Sequence, residues 1–130
     1  MNKEKIFIFD TTLRDGAQTE GVDFSLEDKN KIAKLLSEIG IDYIEGGWPG
    51  ANPVDTEFFS KPLKLNKSIF TAFGMTKKTG RSADNDPSLS SLVNASCPAV
   101  CVVGKSWDFH VKTALGIKNE ENLVNIKETA

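Results

Sequence analysis

The sequence predicts an α/β protein built from successive βα units around a parallel sheet. Two observations carry this reading. Short apolar runs recur roughly every thirty residues, and a helical or turn-rich segment follows each. The runs are also continuous where a half-exposed strand would alternate, as expected for strands covered on both faces.

The first run, "IFIF" (Ile6 to Phe9), reads as a strand, and "AVCVV" (Ala99 to Val103) as another of the same kind. "IDYIEGGW" (Ile41 to Trp48) and "SIFTAF" (Ser68 to Phe73) are weaker versions of the pattern. The clearest helix lies after the first run. Ser25 is suited to cap its N-terminus and Asp28 stands at the capping-box position. Ile32, Leu35, Leu36 and Ile39 form an apolar stripe, and Gly40 supplies a left-handed stop. A second helix is expected from about Asp55 through Phe59, a third from about Ser88 to Asn94, and a fourth from near Glu120. "KKTGRSADNDPS" (Lys77 to Ser88) reads as a surface loop.

Four βα units fit either a small doubly wound sheet or the first half of an eight-unit barrel, which normally needs about 250 residues. The chain reaches Ala130 inside its fourth helix without a stop signal, which favours the barrel. The 130 residues then form the N-terminal half of one barrel domain (1–130), with no second domain.

Composition narrows the partners. Apolar residues make up 39% and charged residues 26%, the balance of a folded globular chain. A net charge of -2, with no basic face, argues against nucleic acid and anionic lipid. Lys3, Glu4 and Lys5 precede only four apolar residues, unlike an export signal, and no run has the length of a membrane span. A cytoplasmic location is expected. There the Asn-x-Ser triplets at Asn66 and Asn94 meet no glycosylation machinery, and Cys97 and Cys101 are read as buried or part-buried thiols.

Sites in parallel α/β proteins gather in the loops that leave the strands. Those loops offer Arg14 and Asp15, then Glu45, then Thr76 and Lys77, then Lys105, Asp108 and His110. In "FDTTLRDGAQTEG" (Phe9 to Gly21), Asp15 can hold a hard divalent cation while Arg14 presents a planar fork to a carboxylate or developing oxyanion. The competing reading is a charged turn in which both simply pair locally or with solvent. Glu45, between Ile44 and two glycines, is either a site residue or a core acid paired to Arg14, and the former is favoured. His110, the sole histidine, is either a substrate-carboxylate donor or a structural residue. Lys77, Lys78 and Arg81 could meet a phosphorylated cofactor, but a solvated loop is the preferred reading. "GGWPGANP" lacks the spacing of a phosphate cradle, and "VGKSW" lacks the first glycine of a P-loop.

"DTTLRDGAQ" resembles the first-strand signature of the metal-dependent isopropylmalate, homocitrate and citramalate synthase superfamily. "IDYIEGGWPGANPVD" and "VVGKSWDFHV" are similar to its citramalate synthase branch. The resemblance implies a (β/α)8 barrel and a Claisen-type condensation of acetyl-CoA, as co-substrate, with the 2-oxo acid pyruvate. The product would be citramalate, for isoleucine synthesis. It implies Asp15 as a ligand of a divalent cation (Mg, Mn or Zn) and Arg14 as the group that stabilises the oxo-acid oxygen. Glu45 matches a site glutamate, and His110 a substrate-carboxylate contact. The full-length protein is expected to be a homodimer. The family's His-x-His ligand pair is absent from a chain with one histidine, so the chain alone is expected to be inactive. Isopropylmalate or homocitrate synthesis, and a non-catalytic half-barrel or gene remnant, are the alternatives. The catalytic reading requires Asp15 to lie near Glu45 and not to point into bulk water.

Overall fold

The computed structural model describes residues 4–130. Strands β1 (Phe9–Asp10), β2 (Tyr43–Gly47), β3 (Ile69–Met75) and β4 (Ala99–Val103) form one sheet in chain order, each parallel to the next. Helices α1 (Leu26–Glu38), α2 (Pro53–Phe58) and α3 (Pro87–Val93) follow the first three strands. After β4 come a short helix α4 (Asp108–His110), a π-helical turn (Val111–Leu115) and α5 (Asn119–Thr129). This is the α/β plan of four βα units expected from the sequence, the first half of a (β/α)8 barrel. Among the described residues no helix is long and apolar enough to cross a membrane.

Local chemistry accounts for the helix ends. Ser25 and Asp28 form the reciprocal capping box, with the Asp28 N–H donating to Ser25 Oγ at 3.1 Å and the Ser25 N–H to Asp28 Oδ2 at 3.0 Å. Gly40 takes a φ of +93°, the left-handed stop of that helix. Pro53 and Pro87 occupy first turns, where a missing N–H costs nothing, behind the caps Asn52 and Asp86.

The core lies between the sheet and α1 to α3. Ile44, Phe70 and Ala72 from the sheet meet Ala33, Phe58, Phe59, Leu89 and Leu92. Phe70 stacks on Phe59 with centroids 4.6 Å apart and meets Phe58 edge-on at 4.9 Å, an aromatic cluster that holds α2 against the sheet.

Three expectations fail. "IFIF" is not a covered strand: regular pairing is confined to Phe9–Asp10, and Ile6 is 84% exposed. "AVCVV" is a strand, but Val100, Val102 and Val103 are exposed. Both runs lie at the edges of the sheet, with a neighbour on one side only, so apolar character was there without the burial it suggested. In α1, Ile32 and Leu36 do pack on the core, whereas Leu35 and Ile39 are exposed. The row facing inward is Lys29, Ala33 and Ser37, whose small members allow close approach while Ser37 Oγ accepts the Lys67 N–H at 3.2 Å.

Candidate functional site

The loop after β1 is wound around one carbonyl. Thr11 O accepts from the N–H groups of Arg14 (3.1 Å), Asp15 (2.8 Å) and Gly16 (3.2 Å), while Asp10 receives the Thr12 N–H at 3.0 Å. Leu13, fully buried, anchors the turn. Arg14 is thereby aimed back over the sheet. Its Nε donates to Glu45 Oε1 at 2.6 Å and its Nη1 to Asp15 Oδ1 at 3.1 Å. Its plane also lies over the Phe73 ring, 4.2 Å from the centroid, and Trp48 meets that ring edge-on at 5.4 Å.

Glu45 is 1% exposed, and a buried carboxylate needs such a charge-assisted donor. Of the two alternatives left open by the sequence, the geometry matches the less favoured one: the acid is a buried residue inside β2, paired to Arg14. A cleft of about 400 Å³ opens between the loops after β1 and β2 and is lined in part by Arg14, Gln18, Asp23, Trp48 and Asn52.

Asp15 meets the first part of its requirement and fails the second. It shares the Arg14 guanidinium with Glu45, yet its side chain is 62% exposed. The turn that carries it stands at the rim, beyond the end of a two-residue strand. As a metal ligand it has an oxygen facing solvent, but among the described residues no group of three or more His, Cys, Asp or Glu side chains is placed to hold an ion. One carboxylate does not make a complete site.

His110 is not drawn into this cluster. It is exposed in α4 and meets Trp107 edge-on at 4.5 Å, with no hydrogen bond or ion pair to Arg14, Asp15 or Glu45 among the described residues. Asp108, expected to converge with it, instead accepts the Phe109 N–H at 2.8 Å. Lys77 departs from both of its readings. It is buried, and its Nζ reaches Glu128 at 2.8 Å and Arg81 O at 2.7 Å, so it ties the loop after β3 to α5. Lys78 and Arg81 remain exposed.

Sequence reasoning did not connect Phe73, Cys101, Lys29 or Asp55 with the Arg14–Glu45 pair. Phe73 and Cys101 are register partners on β3 and β4. Burial pushes the Cys101 thiol pKa up, helped by the charge and hydrogen bond of Glu45, while Arg14 pulls it down. The thiol therefore stays protonated beside the ion pair, and only the pairing of β3 with β4 brings it there, a relation that no local pattern carries. Cys97 is also part-buried, with its pKa raised by burial, so both thiols match expectation.

Similar proteins carry the same segment. The (R)-citramalate synthase of Aquifex aeolicus is 54% identical over 128 residues, covering 97% of this chain and 24% of that protein. The (R)-citramalate synthase of Sulfolobus acidocaldarius is 50% identical, with 95% and 24% covered, and the 2-isopropylmalate synthase of the same organism is 33% identical, with 99% and 32% covered. The chain thus spans about a quarter of the length of the citramalate synthases it matches. In fold, the crystal structure of the HMG-CoA lyase of Bacillus subtilis superposes with a TM-score of 0.72 at 20% identity, covering 98% of this chain and 42% of the lyase. A family model described as HMGL-like matches residues 5–130, nearly the whole chain, and the chain belongs to the HMGL-like family.

Proposed function

We propose that this chain is the N-terminal half of the catalytic barrel of a citramalate synthase, an acyltransferase that condenses acetyl-CoA with pyruvate, water then cleaving the product thioester to citramalate and free CoA, in isoleucine biosynthesis. The observation that carries the proposal is the Arg14 guanidinium, fixed at 2.6 Å by Glu45, held over Phe73 and lining the cleft. Two of its five N–H donors are engaged by Glu45 and Asp15, which leaves donors for the oxygen of a 2-oxo acid. As the acetyl carbanion attacks the keto carbon, negative charge grows on that oxygen. A guanidinium already oriented and partly desolvated stabilises it without reorganising.

Glu45 orients Arg14 and balances its charge. Asp15 contributes one ligand to a divalent cation (Mg, Mn or Zn), which when bound acts as Lewis acid and template for the oxo acid. The remaining ligands, the base that takes the methyl proton of the thioester and the substrate contact of His110 depend on strands that complete the barrel. The 130 residues alone are inactive in this reading, and the completed enzyme is a cytoplasmic homodimer. The greater identity to citramalate synthases than to the isopropylmalate synthase supports pyruvate over a larger oxo acid.

The test is a chimera in which this chain replaces the matching segment of the Aquifex aeolicus enzyme. Release of free CoA is followed with acetyl-CoA and a panel of 2-oxo acids. Pyruvate is expected to be the best substrate, and Arg14→Ala to lower kcat/KM at least a hundredfold. A folded chimera that turns over none of the panel, or that prefers 2-oxoisovalerate or 2-oxoglutarate, would overturn the assignment.

A further inference from the structure

Lys29 and Asp55 take no part in the chemistry above, yet they are among the most buried charged residues of the chain, 3% and 6% exposed. An ammonium has three protons to donate and no acceptor, and here each is used. Lys29 Nζ donates to Leu13 O at 2.9 Å, to Gly46 O at 2.9 Å and to Asp55 Oδ1. Leu13 immediately precedes Arg14, and Gly46 immediately follows Glu45. The two carbonyls therefore flank the two members of the site's ion pair, one in the loop after β1 and one inside β2.

Asp55 completes the frame. Its second oxygen accepts the Trp48 N–H at 2.9 Å and the Asn52 side-chain amide at 3.0 Å. The loop after β2 closes so tightly on it that a Cβ on Gly47 would lie 2.5 Å from the carboxylate. Stability alone does not call for such a pair, because well-packed apolar replacements of buried ion pairs are often equally stable. What apolar side chains lack is a donor that fixes two carbonyls at once.

We infer that Lys29 is a positioning residue: its ammonium, held by Asp55, sets the spacing of the Leu13 and Gly46 carbonyls and with it the register in which Arg14 meets Glu45. The effect on turnover rests on the function proposed above, whereas the effect on Arg14 geometry does not.

The experiment uses the same chimera. Lys29→Met leaves Asp55 without its cation and is expected to lower both melting temperature and kcat. Lys29→Met/Asp55→Leu removes both charges, and its melting temperature is expected to return close to the parent's. Its kcat/KM for the oxo acid should stay at least tenfold down, while the KM for acetyl-CoA stays within twofold. A double variant that recovers stability and full kcat/KM overturns the inference and leaves the pair a structural staple. The second readout is the Arg14 Nε–H signal in 1H–15N spectra, assigned by its loss in Arg14→Lys. Its exchange with solvent should quicken at least tenfold in the double variant, and unchanged exchange overturns the inference even if the parent shows no synthase activity. Should neither variant fold, the parent decides: a Lys29 ammonium protected from exchange at neutral pH supports the frame, and one in fast exchange refutes it.

Discussion

The middle of the sheet and its edges are made from similar residues and live in different environments. In β2 and β3 most positions are buried, and the one carboxylate among them, Glu45, is matched by a donor. In β1 and β4 the residues are as apolar, and most of them are exposed. A run of valines and isoleucines thus states what a strand could bury, and its place in the sheet decides whether it does. The candidate site follows the same division. Glu45 belongs to the middle and is fixed; Asp15 belongs to the loop after an edge strand and stands largely in water.

The largest expected effect tests the middle. Phe70→Ala removes the ring that joins Phe58 and Phe59, and should cost about 3–5 kcal/mol in urea unfolding. A loss under about 1 kcal/mol would mean that the aromatic cluster is not the centre of the core.

Next comes the cap of the helix that covers β3. Asp86→Ala should cost roughly 1–2 kcal/mol at neutral pH, because Asp86 caps α3 through the N–H groups of Ser88 and Leu89. Burial pushes the Asp86 carboxyl pKa up, but the N–H groups of Lys78, Leu89 and Ser88, with the Arg81 charge, outweigh it and hold the pKa below the ordinary 3.8. A depressed carboxylate pKa stabilises the fold above the unfolded value and loses that contribution as pH falls through the folded one. The gap between parent and Asp86→Ala should therefore narrow as pH drops below 3.8, and a gap that widens in acid would contradict the assignment.

At the edge the effects shrink. Val100→Ala should change the stability of the chain alone by about 1 kcal/mol or less, since half of that side chain is already in water. In the chimera, where further strands pair with β4, the same substitution should cost more, and equal costs in the two settings would break the comparison. Smallest of all is Ile6→Lys. It should leave the urea midpoint of the chain almost unmoved, within about 0.5 kcal/mol, and raise its solubility by placing a charge on an open edge. Solubility that does not improve would locate the association-prone surface elsewhere.

Much of the fold and part of the site were legible before any coordinates. The capping box at Ser25 and Asp28, the Gly40 stop, the start of α5 and the βα rhythm all rest on hydrogen bonds and backbone preferences that act within one turn of chain. The chemistry of the loop holding Arg14 and Asp15 was legible from its clustered charges, and its turn winds locally on Thr11 O and Asp10, whereas its tie to β2 through Lys29 is not local. The helical turn from Asp108 to Leu115 was not foreseen, and His110 went with it to the surface.

The sequence by itself determined where strands could start, where helices stop and which residues leave the strand ends, because those outcomes depend on near neighbours. Only the tertiary structure decided that Lys29 and Asp55, 26 residues apart, share a buried hydrogen bond, that Arg14 and Glu45 meet across 31, and that Lys77 turns inward to Glu128. Burial and charge pairing are set by which distant segments the sheet brings side by side. A one-dimensional pattern carries the affinity of each residue for such a place, and the packing supplies the place.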